Sequence, residues 1–164
     1  MKKTVKFGGG KIQVWGCFAY HKIGPSKRIE GKLNGAGYRQ ILKTHMAPFL
    51  RKLKKDKNTE FIFQDDNARV HRAKVVKNYL SNTNIVMLDW PSQSPDLNPI
   101  ENVWGHLKDK LAECYEKASS LDHLFELVKQ AWAEVDVNYL QKLVQSMPRR
   151  CKVVIKAKGW STKY

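Results

Sequence analysis

The chain has 164 residues, 42% of them hydrophobic, and carries 30 Lys and Arg against 15 Asp and Glu, a formal net charge of +15. This size and composition suit one domain with its own core, so we expect residues 1–164 to form a single domain. No apolar run approaches the ~20 residues of a membrane span, and the basic amino terminus lacks the apolar stretch of a signal peptide, which favours a soluble intracellular protein without a membrane partner.

The first third of the chain predicts a β-hairpin and a long helix. We expect a strand at about residues 12–20, a turn at Gly24–Pro25 and a second strand near residues 26–29. A helix follows over about residues 36–54, and Pro48 inside it predicts a kink. Its apolar stripe consists of Tyr38, Ile41, Leu42, Met46, Phe49, Leu50 and Leu53.

The middle of the chain predicts short strands and helices in alternation. Residues 61–63 are predicted as a buried strand because they are aromatic and β-branched and are bounded by polar residues. A helix is expected at about residues 72–80 and a strand at residues 85–88. The next helix, over residues 99–114, has Asn98 as its N-cap and Pro99 at its first position. Its expected buried face is Ile100, Val103, Trp104, Leu107 and Leu111.

The last part of the chain predicts helices and a basic tail. The helices lie at about residues 121–132 and 137–146. The basic tail covers about residues 148–164, of which residues 155–164 lack clear periodicity. Strands that alternate with helices favour a layered α/β domain. Cys17, Cys114 and Cys151 lack metal-ligand spacing, which favours reduced thiols and argues against zinc.

The positive charge is unevenly distributed. Residues 1–58 hold 15 basic and 2 acidic residues, residues 59–117 hold 7 and 9, and residues 118–164 hold 8 and 4. The basic flanks could neutralise phosphates and bind nucleic acid in a salt-dependent way. Ribosomal, membrane-surface and merely solvated basic chains have the same signature, so charge alone leaves those alternatives open.

Two carboxylates in the acidic centre fall at the ends of predicted elements. Asp66 follows the strand at residues 61–63, and Glu101 lies in the first helical turn after Asn98, with 34 residues between the two. A strand-end Asp and a helix-start Glu can converge on one cation. Mg²⁺ takes oxygen ligands, so the two carboxylates together with substrate phosphate oxygens would suit phosphodiester chemistry.

Several ordered motifs resemble one known family. Residues 90–102 read Trp-Pro-Ser-Gln-Ser-Pro-Asp-Leu-Asn-Pro-Ile-Glu-Asn, and residues 63–67 read Phe-Gln-Asp-Asp-Asn, with His71 shortly after. Further matches fall at residues 4–10, 14–18, 29–31, 38–42, 146–151 and 158–164. Together they resemble the catalytic domain of the mariner superfamily of cut-and-paste DNA transposases. In this resemblance Asp66 matches the second and Glu101 the third carboxylate of the family's Asp-Asp-Glu triad.

The resemblance implies a fold, an activity and partners. The fold is a ribonuclease-H-like mixed sheet flanked by helices, and the activity is Mg²⁺- or Mn²⁺-dependent DNA strand cleavage and transfer. The partners are DNA and either a second copy or an intact transposase, in the nucleus of a eukaryotic host. Arg149, Arg150 and Lys152, near the carboxyl terminus, are the candidate nucleic-acid-binding residues.

The first Asp of the triad has no match among these residues. In the family it lies upstream of the segment that residues 1–18 resemble, on the first, central strand of the sheet. Glu30, Asp56 and Glu60 are unconvincing substitutes, and the Asp65 side chain should point to the opposite face of the strand from Asp66. We therefore expect a truncated or decayed copy, or an excised domain, that lacks the helix-turn-helix units of the family and is inactive or nearly so by itself.

The absent central strand also raises a structural problem. Its loss would leave unpaired backbone groups on two inward edges. The hairpin and the strand at residues 61–63 should either close onto each other or stay poorly joined. Residues 1–7 are too short and lysine-rich to replace a buried strand well.

Each candidate residue also has a structural interpretation. Glu101 occupies the capping-box position after Asn98 and could bind the Asn98 backbone N–H. Asp66 could form an Asx turn at a strand end. His71 fits a hydrogen-bonding role better than a metal-ligand role, because Mg²⁺ prefers oxygen.

The basic residues and the chain as a whole have alternatives as well. Arg149 and Arg150 could be solvated helix-end charges. The alternative functions are a non-catalytic nucleic-acid-binding remnant and a module that binds a partner protein.

Overall fold

The computed structural model describes residues 3–7, 10–54, 60–91, 94–115, 118–160 and 162, which form a mixed α/β structure. The chain divides into two compact units, a first unit over residues 29–93 and a second unit over residues 2–28 and 94–164. The strands are β1 (Lys3–Phe7), β2 (Gly10–Ala19) and β3 (Lys22–Ile29). The helices are α1 (Gly35–Ile41), α2 (Ala47–Leu53), α3 (Lys74–Asn82), α4 (Pro99–Tyr115), α5 (Leu121–Ala133), α6 (Val137–Gln145) and α7 (Met147–Lys156).

The sheet of the second unit has the strand order β1-β2-β3. β1 pairs antiparallel with β2 along its whole length, from Lys3 opposite Val14 to Phe7 opposite Gly10. The sequence did not predict residues 3–7 as a strand. An edge strand needs a partner on one side only, which a short lysine-rich segment can satisfy.

The predicted turn at Gly24–Pro25 is wrong. The chain turns at Tyr20 and His21 instead, and Gly24 and Pro25 lie inside β3. Because β3 is at an edge of the described sheet, a proline is tolerated there more readily than in a central strand, which pairs on both sides. The Gly24 carbonyl accepts a hydrogen bond from Nε1 of Trp132 at 2.7 Å.

Helix α4 forms the centre of the second unit. All five residues of its predicted apolar face are buried: Ile100, Val103, Trp104, Leu107 and Leu111. The Trp104 ring stacks on that of Trp132, with 4.7 Å between centroids. These rings explain Gly16 in β2, because a Cβ there would lie 2.7 Å from the Trp132 ring. The sequence periodicity therefore predicted the core of this unit correctly.

A continuous helical run forms the start of the first unit. α1 and α2 are joined by a π-helical segment, Leu42–Met46, which ends just before Pro48. Pro48 has no N–H to donate to the carbonyl four residues earlier and its ring crowds that carbonyl, so the wider π turn accommodates the proline where a kink was predicted. At the start of α1, a Cβ on Gly35 would lie 2.5 Å from the Ala73 Cβ, which explains the glycine.

The predicted strands of the first unit are reduced to one parallel bridge between Phe63 and Met87. The Phe63 N–H donates to the Val86 carbonyl at 2.8 Å, and the Leu88 N–H donates to the Phe63 carbonyl at 2.9 Å. The expectation of a buried strand at residues 61–63 is wrong for Ile62, which is 59% exposed. A two-stranded pairing this short cannot cover both of its faces.

The carboxyl-terminal region also differs from the prediction. Most of the first residues of the predicted basic tail form α7, a helix that was not predicted and that buries Arg150. The three cysteines are free thiols, and burial raises the pKa of Cys17 to about 12. Among the helices that the structure describes, none combines the length and the apolar character needed to cross a bilayer.

Candidate functional site

Asp66 lies in an irregular segment of the first unit. Its Oδ1 accepts a hydrogen bond from the Ala68 N–H at 3.1 Å, and Oδ1 of Asp65 accepts one from the Asn67 N–H at 3.2 Å. These two hydrogen bonds form two overlapping Asx turns. Asn67 belongs to both and has a φ of 63°, which asparagine tolerates better than most residues. The Asx turn predicted as the alternative for Asp66 is thus confirmed, and it fixes the direction of the carboxylate.

His71 contacts both neighbouring carboxylates. Its Nδ1 lies 2.7 Å from Oδ1 of Asp66 and 3.7 Å from Oδ2 of Asp65. At 2.7 Å this contact is short enough for the imidazole to act on the Asp66 carboxylate through hydrogen bonding and charge. The His71 ring is buried and stacks on Tyr38, with 3.9 Å between centroids.

This arrangement corrects one expectation and agrees with another. Asp65 and Asp66 were expected on opposite faces of a strand, but both approach one imidazole because the chain is not extended there. A hydrogen-bonding role was predicted for His71, and its contact with Asp66 agrees with that prediction.

The environment of Asp66 suits a cation ligand. Burial raises the pKa of the carboxyl, but contact with His71, its charge and the Ala68 N–H outweigh burial and lower the pKa from 3.8 to about 2. The side chain is 31% exposed. Among the described residues Oδ2 of Asp66 accepts no hydrogen bond. One oxygen is therefore anchored and the other is open, on a group that is ionised at neutral pH.

The lowered pKa of Asp66 predicts an acid-dependent loss of stability. The stabilisation is fully present above the unfolded pKa of 3.8 and is lost as the pH falls from there through about 2. Solvent screening at this partly exposed side chain leaves about 1–2 kcal/mol of the effect. Urea unfolding measured from about pH 5 to pH 2 should therefore show a steeper loss for the wild type than for Asp66→Asn. Equal slopes would contradict this assignment.

Glu101 lies in the second unit, in the first turn of α4. Its backbone N–H donates to the Asn98 carbonyl at 3.1 Å, and Asn98 is buried. The Glu101 side chain is half-buried. Its capping-box role and its metal-binding role both stay predictions.

In the second unit, a polar cluster joins α7 to the segment before α4. The sequence did not predict it. Nε of the buried Arg150 donates to Ser146 Oγ at 2.8 Å, and its Nη1 donates to the Asp96 carbonyl at 3.0 Å. Oδ2 of Asp96 accepts from the N–H and the hydroxyl of Thr162, at 3.1 and 2.9 Å. Asp96 stands inside the 90–102 motif, but nothing in the sequence pairs it with residues so far along the chain.

The structure separates the three predicted nucleic-acid-binding residues. Arg149 and Lys152 are exposed on α7, whereas Arg150 is 2% exposed and bonded within the unit. Arg149 and Lys152 are therefore the stronger candidates for phosphate contact. The enclosed guanidinium of Arg150 can contact a phosphate only if its hydrogen bonds to Ser146 and Asp96 break.

Among the residues that the structure describes, no group of three or more His, Cys, Asp and Glu side chains is gathered as a metal site would require. A hard divalent cation at Asp66 therefore needs further oxygen ligands, from Glu101, from elsewhere in the protein, or from water and substrate.

Comparison with known proteins gives a family match and close relatives. Residues 8–124 match a family model described as DDE superfamily endonuclease. The Tcb1 transposase of Caenorhabditis briggsae is 42% identical and the Tc1 transposase of Caenorhabditis elegans 40% identical, each over 161 residues. Each match covers 98% of this chain and 57% of the relative, so the chain spans little more than half the length of these curated relatives.

Solved structures of Mos1 share the fold. The crystal structure of the catalytic domain of Mos1 mariner transposase matches with a TM-score of 0.88 at 21% identity, over 99% of this chain and 82% of that one. The same domain with raltegravir and Mg matches at 0.88 and 22% identity, over 99% and 83%. The Mos1 paired-end complex with the left transposon end matches at 0.78 and 21% identity, over 98% and 46%. These matches confirm the ribonuclease-H-like α/β fold.

Proposed function

The chain belongs to the DDE superfamily of endonucleases, and we propose that it is the catalytic domain of a Tc1- or mariner-type DNA transposase. Its reaction is metal-dependent cleavage of DNA strands followed by strand transfer, the chemistry of DNA transposition and integration. The observation that carries the proposal is an ionised, partly exposed Asp66 held by His71 inside the segment that matches the family.

Asp66 and Glu101 hold the divalent cation in this proposal, Mg²⁺ or Mn²⁺. Both are oxygen donors at positions that match the family's second and third carboxylates, and a Mos1 catalytic domain of the same fold was solved with Mg. A bound divalent ion would supply activation of water, and then of a 3′-hydroxyl, for attack on a phosphodiester.

In this proposal, two residues near Asp66 prepare its carboxylate for cation binding. His71 keeps it ionised and fixed in direction, and the stacked Tyr38 ring holds the imidazole in place. Fixed orientation matters because a ligand that must reorganise binds a cation more weakly.

The proposal requires a further carboxylate. These 164 residues match two of the three triad positions, so by themselves they are inactive or nearly so. The family resemblance implies two divalent ions held by three carboxylates, and two carboxylates alone leave that pair of ions short of an anionic ligand.

DNA and a second copy of a transposase are the proposed partners. The net charge of +15 and the exposed Arg149 and Lys152 support contact with a polyanion. The Mos1 paired-end complex, which shares the fold, supports assembly on transposon ends. A nuclear location in a eukaryotic host follows from such a substrate.

A chimaera tests the function directly. These residues would replace the matching segment of the Caenorhabditis briggsae Tcb1 transposase, whose own sequence supplies the remainder. We expect Mg²⁺-dependent nicking at the transposon ends that Tcb1 recognises, with intact Tcb1 as the positive control. A folded chimaera that binds those ends without cutting them would favour the alternative, a non-catalytic DNA-binding remnant, which the exposed basic residues of α7 also support.

A further inference from the structure

An exposed tryptophan follows the basic helix α7. Trp160 is 79% exposed, whereas Trp15, Trp90, Trp104 and Trp132 are between 2% and 7% exposed. Leaving a large indole in water forgoes its burial energy, so a side chain this exposed on an ordered backbone calls for an explanation.

The backbone around Trp160 is held on both sides. The helix ends in a Schellman motif, in which the Lys158 N–H donates to the Ile155 carbonyl and the Gly159 N–H to the Val154 carbonyl, both at 3.0 Å. The Trp160 N–H donates to the Ala157 carbonyl at 3.0 Å. Two residues later, Thr162 is bonded to Asp96. A ligand that binds the indole would therefore pay little for ordering this segment.

The chain segment that leads to Trp160 is basic. Arg149, Lys152 and Lys156 are spaced to share one face of α7, and all three are exposed, as is Lys158 in the following turn. Helix α7 carries no acidic residue. In the part of the chain that the structure describes, Lys152, Lys156 and Lys158 form no ion pairs. These lysines lie within eight residues of an exposed aromatic ring along the chain, a combination that matches the chemistry of a nucleic acid with an accessible base.

We propose that Trp160 and the basic face of α7 form a binding site for an unpaired nucleotide of DNA. The base stacks on the indole, and neighbouring phosphates contact Lys152 and Lys156. This rests on the proposed function and deepens it, because strand cleavage and transfer expose unpaired nucleotides at DNA ends.

The five tryptophans make the site easy to follow. Since Trp160 is the one exposed tryptophan of the five, it should account for most of the quenching of intrinsic fluorescence by acrylamide. Adding a short single-stranded oligonucleotide should quench the same signal and protect it from acrylamide. A blunt duplex of equal length offers no free base face along its interior and should quench less.

Variants separate stacking from charge. Trp160→Leu should lower affinity for the single strand roughly tenfold, with less than about a twofold change for the blunt duplex, since one base–aromatic stack contributes about 1–3 kcal/mol. Trp160→Tyr retains a stacking ring and should recover most of that loss. Lys152→Ala should weaken both DNA forms alike and reduce the slope of log affinity against log salt by about one.

Each outcome of the experiment is decisive. Equal losses for single-stranded and duplex DNA in Trp160→Leu, or no loss, overturn the nucleotide site and leave the proposed function standing. A Trp160 signal that depends on protein concentration and disappears when dimers dissociate also overturns it, because the indole would then serve a contact between copies. If no DNA binds even at low salt, the proposed function and this inference fail together.

Discussion

Asp66→Asn or Glu101→Gln in the Tcb1 chimaera is expected to reduce DNA cleavage by roughly 10³-fold or more. Each change removes one anionic oxygen ligand from a site whose cations stabilise several kcal/mol of developing charge, and 1.4 kcal/mol corresponds to a factor of ten. Both substitutions preserve side-chain shape. DNA binding should be unchanged or improved, because removing negative charge favours a polyanion. The measurement is the single-turnover nicking rate with Mg²⁺ and with Mn²⁺.

Matched controls exclude a general effect of lost charge. Asp89→Asn in the first unit and Glu126→Gln in the second alter exposed carboxylates that match no triad position, and both variants should cleave at near wild-type rates. Cleavage by Asp66→Asn or Glu101→Gln within about tenfold of the wild type would remove that residue from the proposed site. A loss shared with the control variants would point to charge or stability instead.

The sequence predicted best where a periodic apolar pattern and a cap act together. In α4 the Asn98–Pro99 start and the spacing of apolar residues gave the correct boundaries within one residue, and every predicted core position is buried. Helix-forming interactions are local, so their signal lies within a few turns of the chain.

The sequence predicted less well where structure depends on distant partners. Pro25 was read as part of a turn, but whether a proline breaks a strand depends on which strand is at the edge. Residues 61–63 have the composition of a buried strand, but burial requires neighbours that the local pattern cannot supply. Arg150 looked like a surface charge because its acceptors, Ser146 and the Asp96 carbonyl, become visible only once α7 is folded.

Within the candidate site, the sequence supplied candidate residues but not their geometry. The family-like motifs singled out Asp66 and Glu101, and the preference of Mg²⁺ for oxygen favoured a hydrogen-bonding role for His71 over metal binding. The stack of His71 on Tyr38 could not be foreseen, because 32 residues separate the two rings in the sequence.

Arg150→Ala is expected to lower the free energy of unfolding by about 2–4 kcal/mol. The side chain is 2% exposed, and its removal leaves Ser146 Oγ and the Asp96 carbonyl without their guanidinium donors inside the unit. Arg150→Lys should recover only part of this loss, because a single ammonium cannot reproduce the planar set of donors. Urea unfolding followed by tryptophan fluorescence measures the effect.

Lys152→Ala is the matched control, since it removes an exposed positive charge two residues further along the same helix. It should change stability by no more than about 0.5 kcal/mol while weakening DNA binding and its salt dependence. The two substitutions should therefore have opposite effects: Arg150→Ala lowers stability, whereas Lys152→Ala lowers DNA affinity. If Arg150→Ala keeps full stability and loses DNA affinity instead, Arg150 is a phosphate ligand as the sequence first indicated. The cluster around Asp96 must then open when DNA binds, because a guanidinium enclosed by protein acceptors cannot contact a phosphate at the same time.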